Sequence, residues 1–340
     1  MEARPYIKSK INVTSDFADD RRSSLRYGKY KFMNGILNLN KPDGCSSHDM
    51  VYFTRKLLGE KKVGHIGTLD PIATGVLPLL VGNSTKLCDM LTSRDKKYTA
   101  KLKLGIATDT MDITGNILRQ SEIIPAESDV LSAAKSFVGE ILQTPPVYSA
   151  IKVGGRKLYE YARQGIEIIP EPRKVEIYCI EARKIAEPEY ELDIHCSKGT
   201  YIRSLCNDIG EKLGCGGVMS ALVRTASGGF EIKDAFTPEY LDGIKSKEGI
   251  ERVSQLLISP EELLKKTIAK YILFDEKYSR QAKNGASIYL SRILKIKENS
   301  QFVFNTGDKI LMYDDSQIFF AVGEIGEADG ELFCKAKIFL

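Results

Sequence analysis

The segment YTAKLKL, residues 98–104, puts Tyr98, Ala100, Leu102 and Leu104 on one side of an extended chain and Thr99, Lys101 and Lys103 on the other. Successive side chains of a strand point to opposite faces, so this period of two predicts a half-buried strand. YELDIHC, residues 190–196, repeats the pattern with Tyr190, Leu192, Ile194 and Cys196. Helical spacing flanks these strands. Ser46 or Ser47 caps a predicted helix through about Leu58, with Met50, Phe53 and Leu57 on one face and Gly59 just past its end. A second helix is predicted from Asp129 to Val138, closed by Gly139. TYIRSLCNDIGEKLG places Ile202, Leu205, Ile209 and Leu213 on one face of a third, with Arg203 in its first turn just beyond a strand end. Strands and helices are thus mixed, and 340 residues suit two domains.

The ends of the chain differ from its middle. After a polar helical stretch around residues 258–269, the segments ILKIKE, QFVFNTGDKILMYDD and IFFAVGEIGEADGELFCKAKIFL read as short strands with Gly and Asp turns, a small β-barrel module. Residues 1–32 have no apolar periodicity and read as a loosely ordered extension, a dispensable tail or the product of an early start codon, with compact structure opening at Met33. The sequence has no run of about 18 apolar residues and no apolar signal segment, which predicts a cytoplasmic location. Its seven cysteines are odd in number, scattered and never spaced Cys-x-x-Cys, so reduced thiols are expected rather than disulfides or a zinc site. His195 beside Cys196 has no matching second cluster and reads as a strand residue.

A net charge of +4 is too mild to name an anionic partner, but its distribution is informative. RDKKYTAKLK, residues 94–103, carries five cations and one acid. YSAIKVGGRKLYEYARQG interleaves Lys152, Arg156, Lys157 and Arg163 with Tyr148, Tyr159 and Tyr161. Rings that stack on bases, set among cations that seek phosphates, suit a single-stranded or looped RNA. A solvated lysine face with half-buried tyrosines is the competing interpretation.

One carboxylate is placed unusually. In VGHIGTLDPIATGVLPLL, Asp70 lies between Gly64, Gly67 and Gly75 and is followed directly by Pro71. Alone, this describes a turn. The sequence contains no GxxxxGK[ST] phosphate loop, no GxGxxG after a strand, no zinc-deaminase signature and no GxSxG elbow. An enzyme without an evident cofactor is the remaining enzymatic class.

Five blocks then occur in order over roughly residues 33–230: GILNLNKPDGCSSHDMV, KVGHIGTLDPIATGVLPLLVGNSTKL, KKYTAKLKLGIATDTMDITG, QTPPVYSAIKVGGRKLYEYARQG and CSKGTYIRSLCNDIG. Together they resemble the bacterial TruB-type tRNA pseudouridine synthases. The resemblance implies an α+β fold: a catalytic domain at 33–265 with a mixed, mainly antiparallel sheet flanked by helices, and a PUA-like β-barrel at 270–340. It implies isomerisation of the T-loop uridine at position 55 of tRNA to pseudouridine, by a monomer with no cofactor, no metal, no membrane and no obligatory protein partner.

It also implies roles for individual residues. Asp70 matches the catalytic aspartate, Arg203 the arginine that pairs with it and keeps it charged, and Tyr98 the tyrosine that stacks on the target uracil and helps to remove the C5 proton. His65 matches the histidine that fills the space left by the flipped nucleotide. Gly64 and Gly67 admit RNA close to the backbone, Thr68 lies in the same loop, and Tyr201 lines the pocket. Lys41 and Lys152 contact phosphate or support the site, and Arg156 belongs to a mobile thumb at about 148–165 that clamps the stem-loop. Two rival functions are a non-catalytic tRNA-binding folding factor and a guide-RNA-dependent pseudouridine synthase, the second opposed by the thumb-like VGGRKLYEYARQG and the short tail.

Overall fold

A computed structural model describes residues 33–92, 94–162, 164–166, 168–293 and 301–340. The expectation for residues 1–32, the thumb residue Arg163 and most of the ILKIKE segment lie outside the described residues.

Apolar alternation builds a large sheet from β1 (Gly35–Lys41), β2 (Val63–His65), β3 (Ala73–Val81), β4 (Lys96–Leu104), β5 (Gly139–Gln143), β6 (Arg173–Ala186), β7 (Glu189–Cys196) and β8 (Gly217–Ser227). Its order is β1-β3-β8-β4-β7-β6-β5, with β2 paired on β3. Only the β3–β8 pairing among these is parallel, so the sheet is mixed and mainly antiparallel as expected. In β4, Tyr98, Ala100, Leu102 and Leu104 are buried while Lys97 and Lys101 stand exposed, and β7 buries Tyr190, Leu192, Ile194 and Cys196.

Two helices hold the parts of the site. α1 (Ser47–Leu58) starts at a Ser46–Asp49 capping box and ends at Gly59 in the left-handed conformation. α2 (Ile202–Lys212) buries Ile202, Arg203, Leu205 and Ile209. The helix expected at 129–138 runs instead over Glu127–Lys135, with Ala126 at its start supplying no side-chain cap. Gly139 does not close it but opens β5 at φ 109. Glu127 sits ahead of the apolar-periodic residues and gains from the helix dipole, so the extra turn forms there.

The C-terminal segment forms a five-stranded curled sheet, with strands at Tyr271–Leu273, Lys309–Tyr313, Phe319–Ala328, Glu331–Phe339 and Ile288–Tyr289 in spatial order. The start of ILKIKE, expected as strand, is the end of a short helix, Leu290–Ile293. This sheet has its own core around Phe274, Ile310, Ile325 and Cys334. A further apolar cluster joins Leu311, Tyr313 and Val322 to Ile36, Ile66, Val76 and Leu80. The C-terminal module therefore packs directly behind the strands that carry the Asp70 loop. No helix among the described residues is long and apolar enough to cross a membrane, and all seven cysteines are free.

Candidate active site

Asp70 sits in the connection from β2 to β3, and the surrounding chain fixes that connection at several points. The Ser47 hydroxyl accepts from Leu69 N at 2.8 Å and donates to Leu69 O at 3.1 Å. Ala73 N bonds Asp70 O at 3.0 Å, closing the turn that Asp-Pro favours, and Gly44 N reaches Pro71 O at 3.0 Å. Lys41 is fully buried and donates to the carbonyls of Pro42, Cys45 and Pro71 at 2.8, 2.6 and 3.2 Å. An ammonium has three donors, so none is left for a phosphate. Of the two roles expected for Lys41, phosphate contact or support of the site, these bonds fit the second. Burial lowers its pKa while nearby acids, Asp70 among them, oppose the shift.

Two glycines near the loop are required by close approach. Gly67 has φ +74, and a Cβ there would lie 3.3 Å from Arg224 Nη1; Gly75 has φ +100, and a Cβ would come within 2.3 Å of Arg224 O. The group these glycines admit is thus Arg224 of the protein's own β8. Gly64, by contrast, would meet only Thr85 Cγ2 at 3.9 Å.

Arg203 comes to the same place from α2. Its Nε lies 2.9 Å from Asp70 Oδ2 and its Nη2 3.2 Å from Oδ1, a two-point pair between a guanidinium 5% exposed and a carboxylate 35% exposed. The remaining donors reach Thr110 O at 3.1 Å and Tyr148 O at 2.9 Å. Asp112 approaches the other edge, Oδ2 to Nη1 at 3.9 Å, with its Oδ1 accepting from Thr110 Oγ1, Thr114 N and Thr114 Oγ1.

The expectation for this cation is that it keeps Asp70 charged. The Asp70 pKa is raised, because burial disfavours the charge more than Arg203 favours it and the Asp112 carboxylate adds repulsion. The site therefore holds an acid whose charged form is disfavoured and open to solvent on one side only.

Tyr98 lies on β4, 7% exposed, with its pKa raised by burial and drawn back by Arg224. Its resting form is the neutral phenol. Tyr201 is half-buried at the start of α2, its backbone clasped by Gln143, whose amide accepts from Tyr201 N at 2.8 Å and donates to Tyr201 O at 3.0 Å. Burial and, behind it, the Asp70 carboxylate both push the two tyrosines' pKa values up. His65, half-buried on β2, has its pKa lowered by burial and by the Arg224 cation, and its Nδ1 has no hydrogen-bond partner. A neutral imidazole is the result. Thr68 is exposed beside it.

Lys152 and Arg156 lie apart from this centre, on the exposed hairpin Lys152–Val153 with Arg156–Lys157 that follows Tyr148. Arg156 stacks over Tyr161 at 4.9 Å and Lys157 over Tyr159 at 5.4 Å, so cation and ring are paired on one surface. The Tyr148 carbonyl on Arg203 ties this segment to the Asp70 pair.

Sequence reasoning missed Asp112, Arg224 and Gln143. Arg224 had a signal: it is the one charge inside the strand GVMSALVRTAS. Asp112, in TDTMDITG, had the Thr-x-Asp-x-Thr spacing of a side chain that binds its own turn. Gln143 had none. Among the described residues no group of three or more metal-ligating side chains gathers.

Comparison with known proteins places the chain in a family. Residues 55–202 match the TruB family pseudouridylate synthase N-terminal domain, and residues 203–265 the tRNA pseudouridylate synthase B C-terminal domain. The chain is 50% identical over 262 residues to tRNA pseudouridine synthase B of Alkaliphilus oremlandii, covering 77% of this chain and 85% of the relative. It is 44% identical over 283 residues to tRNA pseudouridine synthase B of Clostridium tetani, covering 82% and 94%. Among solved structures, a Cbf5-Nop10-Gar1 complex includes a chain that aligns with a TM-score of 0.65 at 26% identity, over 91% of this chain and 86% of that one. An archaeal box H/ACA sRNP Nop10-Cbf5 complex gives the same TM-score and coverage at 23% identity, a likeness of fold.

Proposed function

The chain belongs to the TruB family of pseudouridylate synthases and isomerises uridine in tRNA to pseudouridine; we propose that the target is the T-loop uridine at position 55 and that Asp70 carries the reaction. The supporting observation is the Asp70–Arg203 pair: a carboxylate open on one side and held at two points by a buried guanidinium. Such a carboxylate is aimed before substrate arrives, and aim supplies much of the rate in a reaction between positioned groups.

In the isomerisation the C1′–N1 bond breaks, the uracil turns, a C1′–C5 bond forms, the C5 proton leaves and N1 gains a proton, so that atoms and charge balance. A base inside a stack offers neither atom, so the nucleotide is flipped out at a cost of roughly a few kcal/mol. His65, uncharged and half-buried beside exposed Thr68, is suited to fill the gap. Asp70 meets the sugar, and the Tyr98 ring supports the uracil. As a neutral phenol, Tyr98 takes up the C5 proton only by passing its own proton on, whereas stacking needs no transfer. Tyr201 lines the pocket.

The Lys152–Arg156 hairpin, with its paired cations and rings, forms the tip of a thumb over the T-stem-loop. Residues 33–265 serve as the catalytic domain and 270–340 as an RNA-binding module. We place the enzyme in the cytoplasm, acting as a monomer without an obligatory protein partner.

Purified protein incubated with unmodified tRNA transcript, followed by mapping of pseudouridine, tests the proposal. Product at the T-loop uridine with wild type and none with Asp70→Asn supports it. Equal product from both removes Asp70 from the reaction. Product that needs an added guide RNA points to a guide-dependent synthase, and tight binding with no product to a folding factor.

A further inference from the structure

Arg224 is 1% exposed, and no carboxylate among the described residues forms an ion pair with it. A buried cation without an anion is costly unless its donors are met. Three of its five are met by backbone: Nε donates to Val76 O at 2.7 Å, Nη2 to Gly67 O at 3.1 Å and Nη1 to Thr68 O at 3.5 Å. Gly67 and Thr68 are the residues just ahead of Leu69 and Asp70, and Val76 lies on the strand just after them. Arg224 is also the register partner of Tyr98 across the β4–β8 pair, so both side chains project from the same face.

One side chain therefore touches the aspartate's loop and faces the tyrosine. We propose that Arg224 is a positioning residue for the isomerisation, setting the spacing between the Asp70 loop and the Tyr98 ring so that one nucleotide meets the carboxylate at its sugar and the ring at its base. This rests on the roles proposed above for Asp70 and Tyr98. The neighbouring glycines fit it: Gly67 leaves room for Nη1, and Gly75 lets the β8 backbone at Arg224 close on β3. The guanidinium also opposes the upward pull of burial on the Tyr98 hydroxyl.

The test is a double-mutant cycle. Single-turnover conversion of unmodified tRNA transcript, tRNA affinity and thermal melting are measured for Arg224→Lys, Tyr98→Phe and the double variant. Lysine keeps the charge but cannot span the three carbonyls and the phenol together. A displacement of about 1 Å in such a site slows the chemical step about a hundredfold, and that loss is expected for Arg224→Lys with tRNA affinity within about threefold of wild type.

In the Tyr98→Phe background the same substitution is expected to cost less than about tenfold, since contacting residues do not act additively. A brace for the fold alone gives equal losses in both backgrounds, and that result overturns the proposal, as does Arg224→Lys at full speed. Tyr98→Phe at wild-type speed overturns the role of Tyr98 and this proposal with it. If Arg224→Lys does not fold, Gly67→Ala, whose Cβ presses on Nη1, takes its place in the same cycle with the same outcomes.

Discussion

The Arg203 guanidinium meets the Asp70 carboxylate at two points, 2.9 and 3.2 Å, while its other donors are taken by Thr110 O and Tyr148 O. The planar fork does two jobs: it orients the carboxylate and ties the Tyr148 backbone to it. Arg203→Lys keeps the charge and loses the fork, so single-turnover conversion is expected to fall about a hundredfold while tRNA affinity holds. Rapid-quench measurement checks this, and an unchanged rate would reduce the pair to simple charge balance.

Asp112 raises the pKa of Asp70 by repulsion across Arg203. If activity requires ionised Asp70, the acid limb of the rate profile lies above the range of an unperturbed aspartate, which is about pH 4. Asp112→Asn removes the repulsion and moves that limb to lower pH, though its peak rate falls because Arg203 loses an anchor. A limb that stays in place, or moves upward, contradicts the electrostatic assignment.

Stability follows the same sign. The folded-state pKa of Asp70 is raised above its unfolded value, so the protonated form favours folding. That contribution is present below the unfolded pKa and lost as pH rises through the folded one. Asp70→Asn, neutral at every pH, is expected to melt no lower than wild type near pH 7, and the gap between them closes in acid. A lower melting temperature at neutral pH would mean that the Arg203 attraction outweighs burial.

Lys41→Met removes one buried ammonium and orphans three carbonyls. Each buried unsatisfied acceptor costs about 1–3 kcal/mol, offset in part by the removal of a buried charge, so a net loss of about 2–4 kcal/mol is expected. Denaturant unfolding measures it. A variant with unaltered stability and weakened tRNA binding would return Lys41 to the RNA contacts.

tRNA affinity is expected to fall steeply between about 50 and 200 mM salt as counterions are released. Lys152→Ala and Arg156→Ala, on the exposed hairpin, are each expected to reduce the slope of log K against log salt by about one. Conversion at saturating enzyme should change little. An unaltered slope in both variants would dismiss the hairpin as a phosphate clamp.

Local pattern carried much of this protein. Alternation in residues 98–104 and 190–196 names strands that lie side by side as β4 and β7, since a period of two already states which side chains are buried. The Ser46 cap and Gly59 stop define α1, because both act through neighbouring backbone groups. The ordered blocks likewise pointed to Asp70 and Arg203, which the fold joins as an ion pair.

Tertiary structure decided what those charges do. Lys41 and Arg224 are cations in sequence and hold backbone in space, because only folding shows which carbonyls their donors meet. Asp112 lies 42 residues from Asp70 along the chain (112 − 70), and folding brings both carboxylates to the Arg203 guanidinium. The upward pKa of Asp70 depends on burial and on that second carboxylate together. Both are sums over distances in three dimensions, to which the order of residues along the chain is blind.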